Sequence, residues 1–110
     1  MTAGSGNDAI LGSDAANQIL GMAGDDVIAG GGGVDRIEGG AGDDTLSGGA
    51  GADVILGGAD NDIISGGAGD DSLDGGAGSD TVSFADSVSG VSVDLAVGTA
   101  TGDDIGTDAL

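Results

Sequence analysis

The residues of this chain that could do chemistry are carboxylates, and they recur every nine positions. Asp8, Asn17, Asp26, Asp35, Asp44, Asp53, Asp62, Asp71 and Asp80 form that series, and eight of the nine are Asp. The chain has 20 acidic residues against one Arg, no Lys and no His, for a formal net charge of -19. Without Cys or His there is no thiol or imidazole catalysis, no disulfide and no zinc site of the usual kind. A glycosidase-like carboxylate pair would need a sugar-sized aromatic cleft, and the one aromatic residue is Phe84. An EF-hand fails as well, because Asp60-Asn61-Asp62 lacks the spacing and no Glu lies at the twelfth position. Oxygen-only binding of a hard cation remains. Calcium accepts about six to eight oxygens in loose geometry, whereas magnesium demands a near-ideal octahedron and keeps its waters.

The elements that would position these acids follow from the same period. A nine-residue frame starting at Ala3 runs without a gap to Ser83, giving nine repeats. Its eighth column holds Ile10, Ile19, Ile28, Ile37, Leu46, Ile55, Ile64, Leu73 and Val82, all large aliphatics. The first column is Gly except at Ala3, and the fourth is Gly except at Ala15 and Asp60. Glycines at the first, second and fourth positions allow positive φ and a tight turn. The seventh to ninth positions suit a three-residue strand, with the eighth side chain inward and its neighbours outward.

So short a strand is not stable alone, and stacking supplies the remedy. Two repeats per coil place strands 18 residues apart in parallel, about 4.8 Å from one another. Ile10, Ile28, Leu46, Ile64 and Val82 then line one sheet, and Ile19, Ile37, Ile55 and Leu73 the other. The same stacking brings Asp26 near Asp44 and Asp35 near Asp53. Two carboxylates about 5 Å apart repel by about 1 kcal/mol in water and several times that near a protein surface. Leu, Ile, Val and Phe make up only 24 of 110 residues, a composition that borders on disorder. The chain is therefore expected to stay expanded until a divalent cation reverses the sign of this repulsion. Odd-numbered turns have four gaps between them and even-numbered turns three, so up to seven Ca²⁺ fit, taking the charge to -5. Asn17 removes one anionic ligand from the gap between repeats 2 and 4, and Ser13, Ala15 and Met22 replace glycines nearby. Asp60, in a fourth position, tolerates left-handed geometry better than most residues.

The unit resembles the repeats-in-toxin (RTX) nonapeptide, Gly-Gly-x-Gly-x-Asp-x-U-x with U a large apolar residue, over residues 3–83. The resemblance implies an all-β fold: a right-handed parallel β-roll, or β-solenoid, with two nonapeptides per coil and Ca²⁺ between adjacent turns. It implies a chain disordered at low calcium that folds at extracellular calcium and supports the secretion and stability of a larger, type I-secreted bacterial protein. The partners implied are calcium ions, an adjacent domain of the parent protein and the type I secretion machinery. Carried over by position, the metal ligands would be Asp8, Asp26, Asp35, Asp44, Asp53, Asp62, Asp71 and Asp80, with Asn17 weak. Backbone carbonyls would come from Gly4, Gly6, Gly24, Gly31, Gly33, Gly40, Gly42, Gly49, Gly51, Gly58, Gly67, Gly69, Gly76 and Gly78. No catalysis is implied for the array itself.

Residues 84–110 leave the repeat. Val91, Val93, Leu95 and Val97 alternate with smaller or polar residues, as in a half-buried strand. This segment is expected to form an irregular β cap, with Phe84 closing the aliphatic seam. Gly106 to Leu110 reads as a further repeat cut short, so the chain is expected to be a fragment of a longer protein. A spacer array in a calcium-stiffened surface adhesin is the alternative to the folding and secretion module. Ice binding is disfavoured, because the turns carry no row of Thr and Asn. A nearly cation-free chain excludes a basic nucleic-acid surface. No apolar run reaches the roughly 18 residues of a membrane span, and Met1 to Leu11 lacks the basic and apolar regions of a secretory signal peptide.

Overall fold

The computed structural model describes residues 1–83 and the backbone of 91–95 and 98–101. It contains no helix among the described residues, hence none that could cross a membrane. The strands are β1 (Ala9–Leu11), β2 (Gln18–Ala23), β3 (Val27–Gly32), β4 (Arg36–Ala41), β5 (Thr45–Ala50), β6 (Val54–Ala59), β7 (Ile63–Ala68), β8 (Asp71–Gly76), β9 (Asp80–Ser83), β10 (Val91–Leu95) and β11 (Gly98–Thr101). They alternate between two parallel sheets, ordered β1-β3-β5-β7-β9-β11 and β10-β8-β6-β4-β2. The chain is a parallel β-solenoid with 18 residues per coil: Ile28 pairs with Leu46 and Ile37 with Ile55. The expected division of the eighth column between two sheets holds. Thr2 bridges Leu20 in the same parallel sense, so the first residues lie along the β2 edge.

Beyond β1, the strands are longer than three residues. Most run for six, from the seventh position of one repeat to the third of the next. Glycine backbone at the second position pairs as readily as any other, as Gly40 does with Gly58, so the ladder extends into what the glycine content marks as turn. The first-position glycine falls out of register between Glu38 and Gly40. This leaves a turn of only about three residues between strands.

Alternation fixes which side chains point inward. In β5 and the residue before it, Asp44, Leu46 and Gly48 are buried while Thr45 is exposed. The inward set is therefore the sixth, eighth and first positions of the repeat. Eight aliphatics from Ile19 to Val82 form the core, each no more than 1% exposed, with Ile10 packed at its end. Removal of each from water stabilises the fold by about 1.5–3 kcal/mol. The seam is one side chain wide per strand.

Beyond the repeats, β10 pairs in parallel with β8 and β11 with β9. The backbone thus continues both sheets, with Val91 opposite Asp71 and a register shift between Asp94 and Leu95. The expected strand over Val91, Val93 and Leu95 is present as β10. Phe84, Val97 and Gly106 to Leu110 lie outside the described residues.

Candidate metal centre

The site is built from the sixth position. Because this residue precedes the inward aliphatic by two, its carboxylate enters the interior instead of standing in the turn. Asp26, Asp35, Asp44, Asp53, Asp62, Asp71 and Asp80 are all buried. Burial of a carboxylate without compensation is costly, so the destination of each oxygen matters. One oxygen is satisfied by the coil before it. The Asp26 amide donates to Oδ1 of Asp44 at 2.8 Å, Asp35 to Asp53 at 2.8 Å, Asp44 to Asp62 at 2.9 Å and Asp62 to Asp80 at 2.9 Å. The predicted neighbours, Asp26 with Asp44 and Asp35 with Asp53, are thus brought together by a hydrogen bond.

The other oxygen is orphaned. Oδ2 of Asp26, Asp35, Asp44, Asp53, Asp62 and Asp80 is buried without a hydrogen-bond partner. Each faces the first-position glycine of its own repeat. A Cβ on Gly30 would stand 2.5 Å from Oδ2 of Asp35 and 2.7 Å from the carbonyl oxygen of Gly48. A Cβ on Gly39 would collide with Oδ2 of Asp44 and lie 2.7 Å from the carbonyl oxygen of Gly57. These glycines have no positive φ. The expectation that first-position glycine serves turn geometry is therefore corrected: it keeps a cradle open between a carboxylate and a carbonyl. The first-position carbonyls of Gly39, Gly48, Gly57, Gly66 and Gly75 were not among the expected ligands. The signal for them is the period-2 alternation, which points an invariably small residue inward beside a buried acid.

From Gly24 onward, second- and fourth-position glycines take the positive φ expected of them. Gly40 and Gly42 have φ of 112° and 119°, and a Cβ on either would strike the carbonyl of the equivalent residue one coil earlier, Met22 and Gly24. The expected carbonyl donors of Gly6, Gly24, Gly31, Gly33, Gly40, Gly49, Gly51 and Gly58 thus point along the stack into the gap between coils. Second-position backbone also belongs to the ladder, as Gly40 pairs with Gly58 and the Gly58 carbonyl accepts from the Ala77 amide; the Gly4 carbonyl likewise accepts from the Ala23 amide. Met22 and Asp60 take the left-handed conformation without being glycine, at φ 83° and 73°, so the turn survives at Asp60 as its chemistry suggests.

The first coil differs. Asp8 is half-buried, and its Oδ2 accepts from the Gly4 amide at 3.1 Å. Asn17 keeps its place in the column, with its amide donating to Oδ1 of Asp35. Its own side-chain oxygen accepts from the Ser13 amide at 2.8 Å, so the amide closes on its own turn.

The electrostatics agree with an open requirement for positive charge. Burial, reinforced by neighbouring carboxylates, pushes Asp44 and Asp53 above the ordinary carboxylate range. Burial takes Asp62 up to about 7, helped by Asp44 and Asp80. Arg36, the only basic side chain, stands on the outward face of β4, half-exposed and 3.8 Å from Glu38, so it does not neutralise the column. Among the described residues no three acidic, His or Cys side chains converge. The donor set is a carboxylate oxygen with backbone carbonyls, oxygen throughout, and this fits calcium rather than a softer metal.

The profile of the RTX calcium-binding nonapeptide repeat, four copies long, matches residues 2–37, 30–64 and 47–82. No curated protein matches the chain. The nine-residue period, the buried Asp column and the profile match over most of the chain agree, and the chain belongs to the RTX calcium-binding nonapeptide repeat family.

Proposed function

We propose that this calcium-binding repeat module is disordered without the cation, folds on binding it outside the cell, and serves as the folding and secretion element of a larger type I-secreted bacterial protein. The observation that carries the reading is the column of buried carboxylates, in which Oδ2 of Asp26, Asp35, Asp44, Asp53, Asp62 and Asp80 has no hydrogen-bond partner. Asp26, Asp35, Asp44, Asp53, Asp62, Asp71 and Asp80 would hold the cations, with first-position carbonyls beside them and second- and fourth-position carbonyls from the stacked turns. Asp8 and Asn17 would contribute less, since each spends an oxygen on its own turn. Bound calcium supplies the positive charge that lets these carboxylates remain ionised in the interior. The glycines keep the space clear, and the amide one coil earlier orients each carboxylate through Oδ1. The array supplies no catalytic group of its own. In a reducing, calcium-poor cytosol the chain would stay unfolded and threadable, and outside the cell it would order.

Circular dichroism tests this. The chain in chelator should show a disordered spectrum and gain β signal as calcium is added. A β spectrum that is the same with and without calcium would sink the mechanism. In the same titration Asp44→Ala should need more calcium than Asp14→Ala, because Asp14 is exposed and outside the column.

A further inference from the structure

The two edges of the solenoid are built differently at the fifth position. On the odd-numbered turns this position carries Asn7, Asp25, Asp43, Asn61 and Ser79; on the even-numbered turns it carries Ala16, Val34, Ala52 and Asp70. The odd residues form a continuous ladder. Oδ1 of Asn7 accepts from the Asp25 amide at 2.8 Å and Oδ1 of Asp25 from the Asp43 amide at 2.9 Å. Oδ1 of Asp43 accepts from the Asn61 amide at 2.9 Å and Oδ1 of Asn61 from the Ser79 amide at 2.8 Å. The sense is opposite to that of the buried column. Asp43 gives its amide to Asp25 one coil earlier, while Asp44 beside it takes an amide from Asp26. Each odd gap is therefore crossed by two side-chain ties of opposite direction. Asp60 adds a third between repeats five and seven, its Oδ2 accepting from the Gly42 amide at 3.1 Å.

The even edge has one such tie per gap among the described residues: Asn17 to Asp35, Asp35 to Asp53 and Asp53 to Asp71. Ala16, Val34 and Ala52 have no side-chain oxygen with which to make another. Charge follows the same division. Beyond the column, Asp25, Asp43 and Asp60 add three carboxylates to the odd edge. The even edge gains Asp14 and Asp70 but loses one at Asn17.

We infer that the two edges take up calcium as two unequal sets, the odd edge first, because its ladder holds successive turns in register and its outer carboxylates add charge beside the gap. The inference rests on the calcium reading above. Both effects act on affinity in the same direction, since calcium affinity rises with ligand charge and with rigidity of the site. A gap that orders on binding gains its ladder bonds in the same step, and these offset part of the ordering cost. Odd-edge filling would then set the spacing that the even edge needs.

The test is a calorimetric titration of the full chain with Ca²⁺. Two classes are expected: a tighter one of about four ions, for the four odd gaps, and a weaker one of up to three. Asp43→Asn keeps the ladder acceptor and removes the charge, whereas Asp43→Ala removes both. Each should weaken the tighter class, Asn by roughly threefold and Ala by up to about tenfold. Asp70→Asn should leave that class unchanged. The double variant Val34→Asp with Ala52→Asp should strengthen the weaker class and draw the two together. Uptake in one uniform class, or an Asp70→Asn effect equal to that of Asp43→Asn, would overturn the two-edge inference while leaving calcium binding intact. No uptake at any calcium concentration would overturn the calcium reading itself.

Discussion

Met22 sits where the second column asks for glycine, and its φ of 83° places an L side chain in the left-handed region. That conformation costs about 1–2 kcal/mol for a residue with a Cβ. The position is held in the ladder, where Met22 pairs with Gly40 one coil on. The side chain repays little of the cost, being half-exposed. Met22→Gly removes the strain but makes the unfolded chain more flexible, which returns about 0.4–1 kcal/mol. The balance favours the folded state by about 1 kcal/mol. A thermal melt in saturating calcium should therefore shift upward for Met22→Gly, and an unchanged or lower midpoint would refute the strain. Asp60 shares the left-handed conformation, but its carboxylate bonds the Gly42 amide, so Asp60→Gly should gain less than Met22→Gly.

Each strand, with the residue before it, has three inward positions with three tasks: carboxylate, aliphatic and empty space. The first two were legible in the sequence. An Asp column in phase with an aliphatic column already implied stacking at 18 residues, and both sheets assembled as that spacing requires. The third task was masked, because glycine at a first position satisfies a turn and a cradle equally well on paper. Only the burial alternation separates them: Gly39 and Gly48 are buried within strands, with ordinary φ. The length of the strands was missed for the same reason, since glycine hides the pairing of its own backbone. The odd-edge ladder was hidden by a column of mixed type, in which Asn, Asp and Ser share only a side-chain oxygen. Gly39→Ala separates the two roles by sign. Alanine is normally preferred to glycine inside a strand by about 0.5–1 kcal/mol, so a spectator position would be stabilised. Here the added Cβ meets Oδ2 of Asp44 and the Gly57 carbonyl, and overpacking of this kind costs about 1–3 kcal/mol. Gly39→Ala should destabilise the folded chain and raise its calcium requirement. Gly32→Ala, whose nearest contact would be 3.3 Å from a side-chain oxygen, should do neither.

For the molecule as a whole, a charge of -19 and a seam one side chain wide make folding a question of what neutralises the column. Calcium is one answer and protons are another, and the buried acids show how the second should act. Asp62 in the folded chain without a cation has its pKa raised by burial from 3.8 to about 7, and Asp44 and Asp53 move in the same direction. The folded state therefore binds more protons than the unfolded state across that window, and its stability falls as pH rises through it. The contribution from Asp62 is fully present below about 3.8 and is lost as pH climbs through about 7. Lower pH also reduces repulsion over the whole surface, which favours the compact state in the same direction. In chelator, then, the chain should be most disordered at pH 8 and gain β signal as the solution is brought toward pH 5. Asp62→Asn, which carries no charge to neutralise, should show a smaller pH response, since part of the proton uptake has been removed in advance. An equal absence of β signal at pH 8 and pH 5 would mean that charge in the column is not what keeps the calcium-free chain open.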